Sequence, residues 1–113
     1  MKRLVLKSKI HRVRVTGTHL GYEGSITLGP EYLEQADLVP YERVDIYNIT
    51  NGARFSTYVI RGKPGEVILN GAAARLAQPG DLLIIAAYTW MDDEELKEFR
   101  PRVVIVEPGD GAA

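Results

Sequence analysis

The chain has no cysteine, which excludes both a disulfide framework and a thiolate metal site. Its two histidines, His11 and His19, stand eight positions apart, and neither has a partner at ligand spacing, so no metal centre is expected. Charge of one sign is also missing. Fourteen Lys and Arg against fifteen Asp and Glu give a net charge of −1, which offers no basic stripe to nucleic acid and no polybasic patch to a membrane. Long apolar runs are absent as well. The longest, LLIIAAY at 82–88, falls far short of the ~20 residues a membrane-spanning helix needs. The opening MKRLVLKSKIHR interrupts its apolar residues with charges and so lacks the continuous core of a signal peptide. The expectation from these absences is a cytoplasmic protein. No nucleophile elbow, phosphate-binding loop or dinucleotide fingerprint occurs either.

What is present is a chain of 113 residues, 45% hydrophobic and 26% charged, which predicts one folded domain spanning 1–113. Period-2 alternation dominates it. In RVRVT, Arg12, Arg14 and Thr16 alternate with Val13 and Val15, as on a half-buried strand. SITL (25–28), ERVDIYNIT with Val44, Ile46 and Asn48 on one face, ARFSTYVI, VILN and RVVIVE read as further strands. LLIIAAY reads as a fully buried one. Asn51-Gly52 is the strongest hairpin signal, and RGKPGE and QPGD supply more turns. Pro30, Glu31 and Pro40 punctuate one short helix. Asp92 or Asp93, the acids that follow and Pro101 mark a second, whose charges read as a solvated face. A frayed tail is expected at PGDGAA. Six to eight short strands, two small helices and no βαβ spacing predict a mainly β, mostly antiparallel, barrel-like domain.

Candidate chemistry is confined to scattered polar residues on these strands: Lys9, His11, Tyr22, Ser25, Arg54, Thr57, Tyr58 and Asn70. Taken singly, each has a plain structural reading. Gly-Ser at a strand start is usually a turn, Arg54 a solvated arginine, Tyr58 a rim aromatic and Thr57 a good strand residue.

Their combination is more specific. SKIHRVRVT, YEGSIT, DIYNITNGARFSTYVI and NGAAAR stand in an order and spacing that resembles the pyruvoyl-dependent L-aspartate 1-decarboxylases, and with their connections they cover residue 1 to about residue 107. The resemblance implies a double-psi β-barrel, a homotetramer with active sites between subunits, and a precursor that cleaves itself between Gly24 and Ser25. Ser25 would thereby become a covalent pyruvoyl group, with no metal. That group would form a Schiff base with L-aspartate and release CO2 and β-alanine, a supply for pantothenate and coenzyme A synthesis.

Family positions carried over residue by residue give Tyr58 as proton donor, Thr57 beside the cleavage site, and Lys9 and Arg54 as cations for the two carboxylates. The backbone of Gly71, Ala72 and Ala73 would contact substrate. Asn70, His11 and Tyr22 fall in supporting positions, His11 being equally readable as a satisfied strand histidine, while Tyr47 borders the pocket and His19 is structural or exposed. The residue types suit these roles. A positioned intramolecular hydroxyl is an effective nucleophile, glycine permits close approach at its carbonyl, and an arginine fork matches a carboxylate. The chain departs from the family at Thr18-His19-Leu20, Gly21 and Arg75, which touches hydrogen bonding around the cleavage loop and leaves open whether a maturation protein takes part. Two other readings stand beside this one: a non-catalytic barrel that binds a partner, and a decarboxylase for a longer acidic amino acid such as glutamate.

Overall fold

The computed structural model describes residues 1–107; the tail expected at 108–113 lies outside them. Half of the architecture follows from one long strand. β1 (Lys2–Arg14) pairs antiparallel along its length with β7 (Leu82–Asp92) and parallel, from Ser8 to His11, with β8 (Arg102–Ile105). Between them come β2 (Gly17–His19), β3 (Ser25–Leu28), helix α1 (Pro30–Gln35), β4 (Arg43–Asn48), β5 (Arg54–Arg61), β6 (Val67–Asn70), a 3₁₀ turn (Gly71–Leu76) and, after β7, helix α2 (Asp93–Leu96).

The eight strands form one sheet in the order β2-β6-β3-β5-β4-β7-β1-β8. β1 and β2 thus lie near opposite ends of the order, yet only Val15 and Thr16 separate them in sequence. A two-residue link cannot cross an open sheet, so the sheet must roll up. The hydrogen bonds show the closure: Val15 N donates to Asp81 O at 2.8 Å on the β7 side, and Thr16 N donates to Val67 O at 2.8 Å on the β6 side. The result is a mainly β, barrel-like fold.

The core is the inner face of that roll. Ile10, Val13, Ile26, Leu28, Val44, Ile46, Val59, Val67, Leu69, Leu83 and Ile85 are all at most 1% exposed and belong to one apolar cluster. The alternation read from the sequence therefore holds for β4, where Val44, Ile46 and Asn48 are buried. Because such a core is close-packed, Ile46→Ala is expected to cost about 2–5 kcal/mol, measured as a lower urea midpoint at unchanged slope. A cost under about 1 kcal/mol would contradict the placement of Ile46 at the centre.

Several expectations need correction. The pairing is mostly antiparallel, as expected, in β1–β7, β3–β6, β4–β5 and β4–β7, but the shorter β1–β8, β2–β6 and β3–β5 pairs are parallel. The strand expected at RVRVT is the end of the much longer β1, and a register shift between His11 and Val13, with Arg12 at a φ of +69°, breaks its alternation there. LLIIAAY is not buried on both faces: Leu83 and Ile85 point inward, whereas Ile84 is half-buried and Tyr88 is exposed. Helix α1 stops at Gln35 rather than at Pro40, because Asp37 turns left-handed at a φ of +54°. The alanine-rich segment adds a 3₁₀ turn to the two expected helices. Asp92, not Asp93, caps α2. Its carboxylate accepts from Glu95 N while the Glu95 carboxylate accepts from Asp92 N, forming a capping box. The acids of this short helix are exposed and pair with the surface cations Arg3, Lys2 and Lys97, in keeping with a solvated face.

Candidate active site

Two groups of the expected residues emerge. The first surrounds the Gly24–Ser25 bond. Ser25 opens β3 and is 1% exposed, and Asn70, its direct partner across the antiparallel β3–β6 pair, is equally buried. Asn70 Nδ2 donates to Ser25 Oγ at 2.9 Å and to Thr27 Oγ1 at 2.9 Å, and Ser25 Oγ donates to the Glu23 carbonyl at 3.2 Å. The serine hydroxyl is therefore fixed by one donor and one acceptor, while the next residue back, Gly24, lies exposed on the preceding loop.

Gly71 explains how the loop is held. Its φ is +63°, and a Cβ added there would fall 2.7 Å from both Cα and N of Gly24 and 2.8 Å from the Tyr22 carbonyl oxygen. Only a residue without a side chain leaves this space. Gly71→Ala should accordingly displace the 22–24 loop, and on the expectation that Gly24–Ser25 is a processing site the outcome is a chain that folds but cleaves at least tenfold more slowly. A time course of intact masses measures this, and cleavage at the native rate would contradict it. Gly24 also opens onto a cavity of about 330 Å³ lined by Phe55, Ser56, Thr57, Ala72, Ala73 and Leu76. Gly24, Ser25, Asn70, Gly71, Thr57, Ala72 and Ala73 are thus gathered into one neighbourhood by β3, β5, β6 and the 3₁₀ turn. Tyr58 joins it on β5, because Ser25 and Tyr58 directly precede the paired residues Ile26 and Val59 and so face the same side of the sheet. Tyr22 is exposed on the loop with its ring stacked on that of exposed His19, centroids 5.6 Å apart.

The second group lies elsewhere. His11, Ile84, Tyr47 and Arg54 form one row across β1, β7, β4 and β5, and Lys9, Ala86, Asp45 and Ser56 form the next row on the same, outward face. Lys9 and Arg54 are separated by three strand spacings, about 14 Å, and neither lines the cavity at Gly24. Arg54 is exposed, with its guanidinium carbon 4.2 Å above the centre of the Tyr47 ring. The Tyr47 hydroxyl in turn bonds the Tyr88 hydroxyl at 2.8 Å. That bond, with burial second, pushes the Tyr88 phenol up to about 12, so it keeps its proton throughout the neutral range. His11 Nδ1 is buried without a hydrogen-bond partner among the described residues. No cluster of metal-ligating side chains occurs among the described residues.

Tyr88 was not singled out from the sequence, because it closes a run that reads as continuously apolar. The usable signal was the period-2 set Ile84, Ala86 and Tyr88, which puts the phenol on the face of Tyr47.

Comparison with known proteins bears on this geometry directly. The family model described as aspartate decarboxylase matches residues 1–112. The chain belongs to this family. It is 59% identical over 107 residues to the aspartate 1-decarboxylase of Hydrogenobaculum sp. (strain Y04AAS1), covering 95% of this chain and 86% of the relative. It is 56% identical over 110 residues to that of Syntrophus aciditrophicus, covering 96% and 95%, and 54% identical over 109 residues to that of Persephonella marina, covering 95% and 78%. The chain is thus an enzyme of the carboxy-lyase class. Among the described residues no helix is long and apolar enough to cross a membrane.

Proposed function

We propose that this chain decarboxylates L-aspartate to β-alanine and CO2 in the cytoplasm, as a supplier of pantothenate synthesis, after converting its own Ser25 into a pyruvoyl group. The observation that carries the reading is the grip on Ser25: a buried hydroxyl held by Asn70, with the adjoining Gly24 backbone seated against Gly71. The surroundings fit a group built from residue 25, since glycine and alanine at 71–73 leave its flank free of bulk.

In the cleavage reaction Ser25 Oγ bonds to the Gly24 carbonyl carbon and the Gly24–Ser25 amide C–N bond breaks. The hydroxyl proton passes to the freed nitrogen, leaving an ester. Loss of the Ser25 α-proton and of the Gly24 carboxylate then yields dehydroalanine, which water hydrolyses to a ketone and ammonia. The chain's part is positional. Asn70 restrains the hydroxyl, Gly71 shapes the loop, and Thr57, across the cavity from Gly24, supplies a donor toward the oxyanion.

A pyruvoyl group supplies a ketone that captures the substrate amine and an electron sink for the pair left by the departing carboxylate. The protein's remaining tasks are to hold two carboxylates, through Arg54 and Lys9, and to return a proton, through Tyr58. Within one chain neither Arg54 nor Lys9 lines the cavity at Gly24, and buried His11 Nδ1 lacks a partner among the described residues. Both facts support a site shared between subunits of a homotetramer.

Two measurements test the reading. Incubation with L-aspartate is expected to release β-alanine and CO2 in equal amounts. L-glutamate should react at least ~10-fold more slowly, in line with the worth of one methylene. Equal rates would favour a broader acidic amino acid decarboxylase. Co-expressing Ser25→Ala, inactive alone, with Arg54→Gln, which turns over little at low L-aspartate, should restore part of the activity at that concentration, because mixed assemblies contain sites with both residues intact. No recovery, or a fully active monomer in light scattering, would exclude a shared site.

A further inference from the structure

The outward row around Arg54 contains an arrangement that the substrate-binding reading alone does not require. An arginine on an exposed strand face has four rotatable bonds, and ordering it opposes binding. Here the guanidinium is stacked on Tyr47 at 4.2 Å, and the Tyr47 ring is itself tethered at its far end by the Tyr88 hydroxyl, 2.8 Å away.

The sheet makes the tether possible. Tyr47 stands directly opposite Ile84, whereas Tyr88 lies four residues further along β7 on the same face. The residue between them on that face is Ala86, paired with Asp45, and its methyl group leaves the room in which the two phenols meet. A tyrosine with nothing at its hydroxyl is free to swing off the strand and take the arginine with it. One joined to a second strand is not.

We propose that Tyr88 is a positioning residue for substrate binding, holding Tyr47 flat beneath Arg54 so that the guanidinium is ordered before a substrate carboxylate arrives. This rests on the reading that Arg54 takes a carboxylate of the substrate. Tyr88 does not line the cavity at Gly24 and acts here only through Tyr47 and Arg54. Its effect is to lower the ordering cost of an ion pair formed by another residue, so it belongs to KM rather than kcat.

The test compares Tyr88→Phe, Tyr47→Phe, the double variant and Arg54→Gln, each checked for complete cleavage by intact mass and for unchanged assembly by light scattering. Tyr88→Phe keeps the ring and removes only the hydroxyl. It is expected to raise KM for L-aspartate about threefold to tenfold, the scale of one hydrogen bond and one stacked cation, with kcat within twofold of the wild type. Tyr47→Phe should match it, and the double variant should be no worse than either single one, because the two hydroxyls form one bond. An unchanged KM in Tyr88→Phe, with KM raised in Arg54→Gln, would overturn the proposal while leaving the substrate-binding reading intact. An unchanged KM in Arg54→Gln would remove that reading and the proposal with it. Loss of cleavage or assembly in Tyr88→Phe, or a fall in kcat alone, would assign Tyr88 a structural role and equally overturn the proposal.

Discussion

Ser25→Ala is expected to remain a single unbroken chain and to show no decarboxylation above background. The side chain removed contributes one hydroxyl, which accepts from Asn70 and donates to the Glu23 carbonyl, so the stability loss should be modest, about 1–3 kcal/mol for the donor left buried. The chemical loss is complete. Without Oγ there is no nucleophile at the Gly24 carbonyl, and no ester whose elimination could give the dehydroalanine that water hydrolyses to a ketone. The two effects separate cleanly: a thermal melt reports the first and an assay for β-alanine the second. Ser25→Thr retains an oxygen and should cleave, more slowly, because its extra methyl must fit beside Asn70 at a position only 1% exposed. Turnover by Ser25→Ala would mean that the electron sink arises elsewhere.

The second large effect is expected at Tyr58. It follows Thr57 on β5, faces the same side of the sheet as Ser25, and is half-buried, with its ring 6.3 Å from that of Tyr41. Phenylalanine preserves this packing and deletes only the hydroxyl that carries the proton. Tyr58→Phe should therefore cleave normally at Gly24–Ser25 yet lose about 10²–10⁴-fold in kcat, the usual worth of a general acid, with KM little changed. This profile is the reverse of that expected at Arg54 and Tyr88, where binding suffers and chemistry does not. Full activity in Tyr58→Phe would remove it as the proton donor. A failure to cleave would instead assign it to the first reaction.

Much of this could be read in the sequence because strands of this fold bury one face. Val44, Ile46 and Asn48 announce the inner side of β4, and Asn51-Gly52 fixes the β4–β5 hairpin, where Gly52 adopts a φ of +80°. The neighbourhood of Gly24 and Ser25 was legible as separate short blocks. What no block could convey was how they meet. The parallel pairing of β3 with β5 brings Ser25 level with Tyr58, and the close approach of Gly71 to Gly24 depends on a turn whose alanines read merely as small residues. The lateral relation of Lys9 to Arg54 was equally hidden, since it depends on two strands inserted between β1 and β5 from distant parts of the chain. Tyr88 escaped because a strand with small residues on its outer face resembles one buried on both. In each case the missing information is long-range register, which local alternation does not encode.

The central claim is that the Gly24–Ser25 bond is a processing site, and intact mass spectrometry of freshly purified, denatured protein tests it most directly. The account expects two fragments, one ending at Gly24 and one beginning at position 25, with only the larger gaining mass on treatment with a carbonyl reagent. A single unbroken chain that neither cleaves on prolonged warming nor reacts with the reagent, yet still converts L-aspartate to β-alanine, would contradict it.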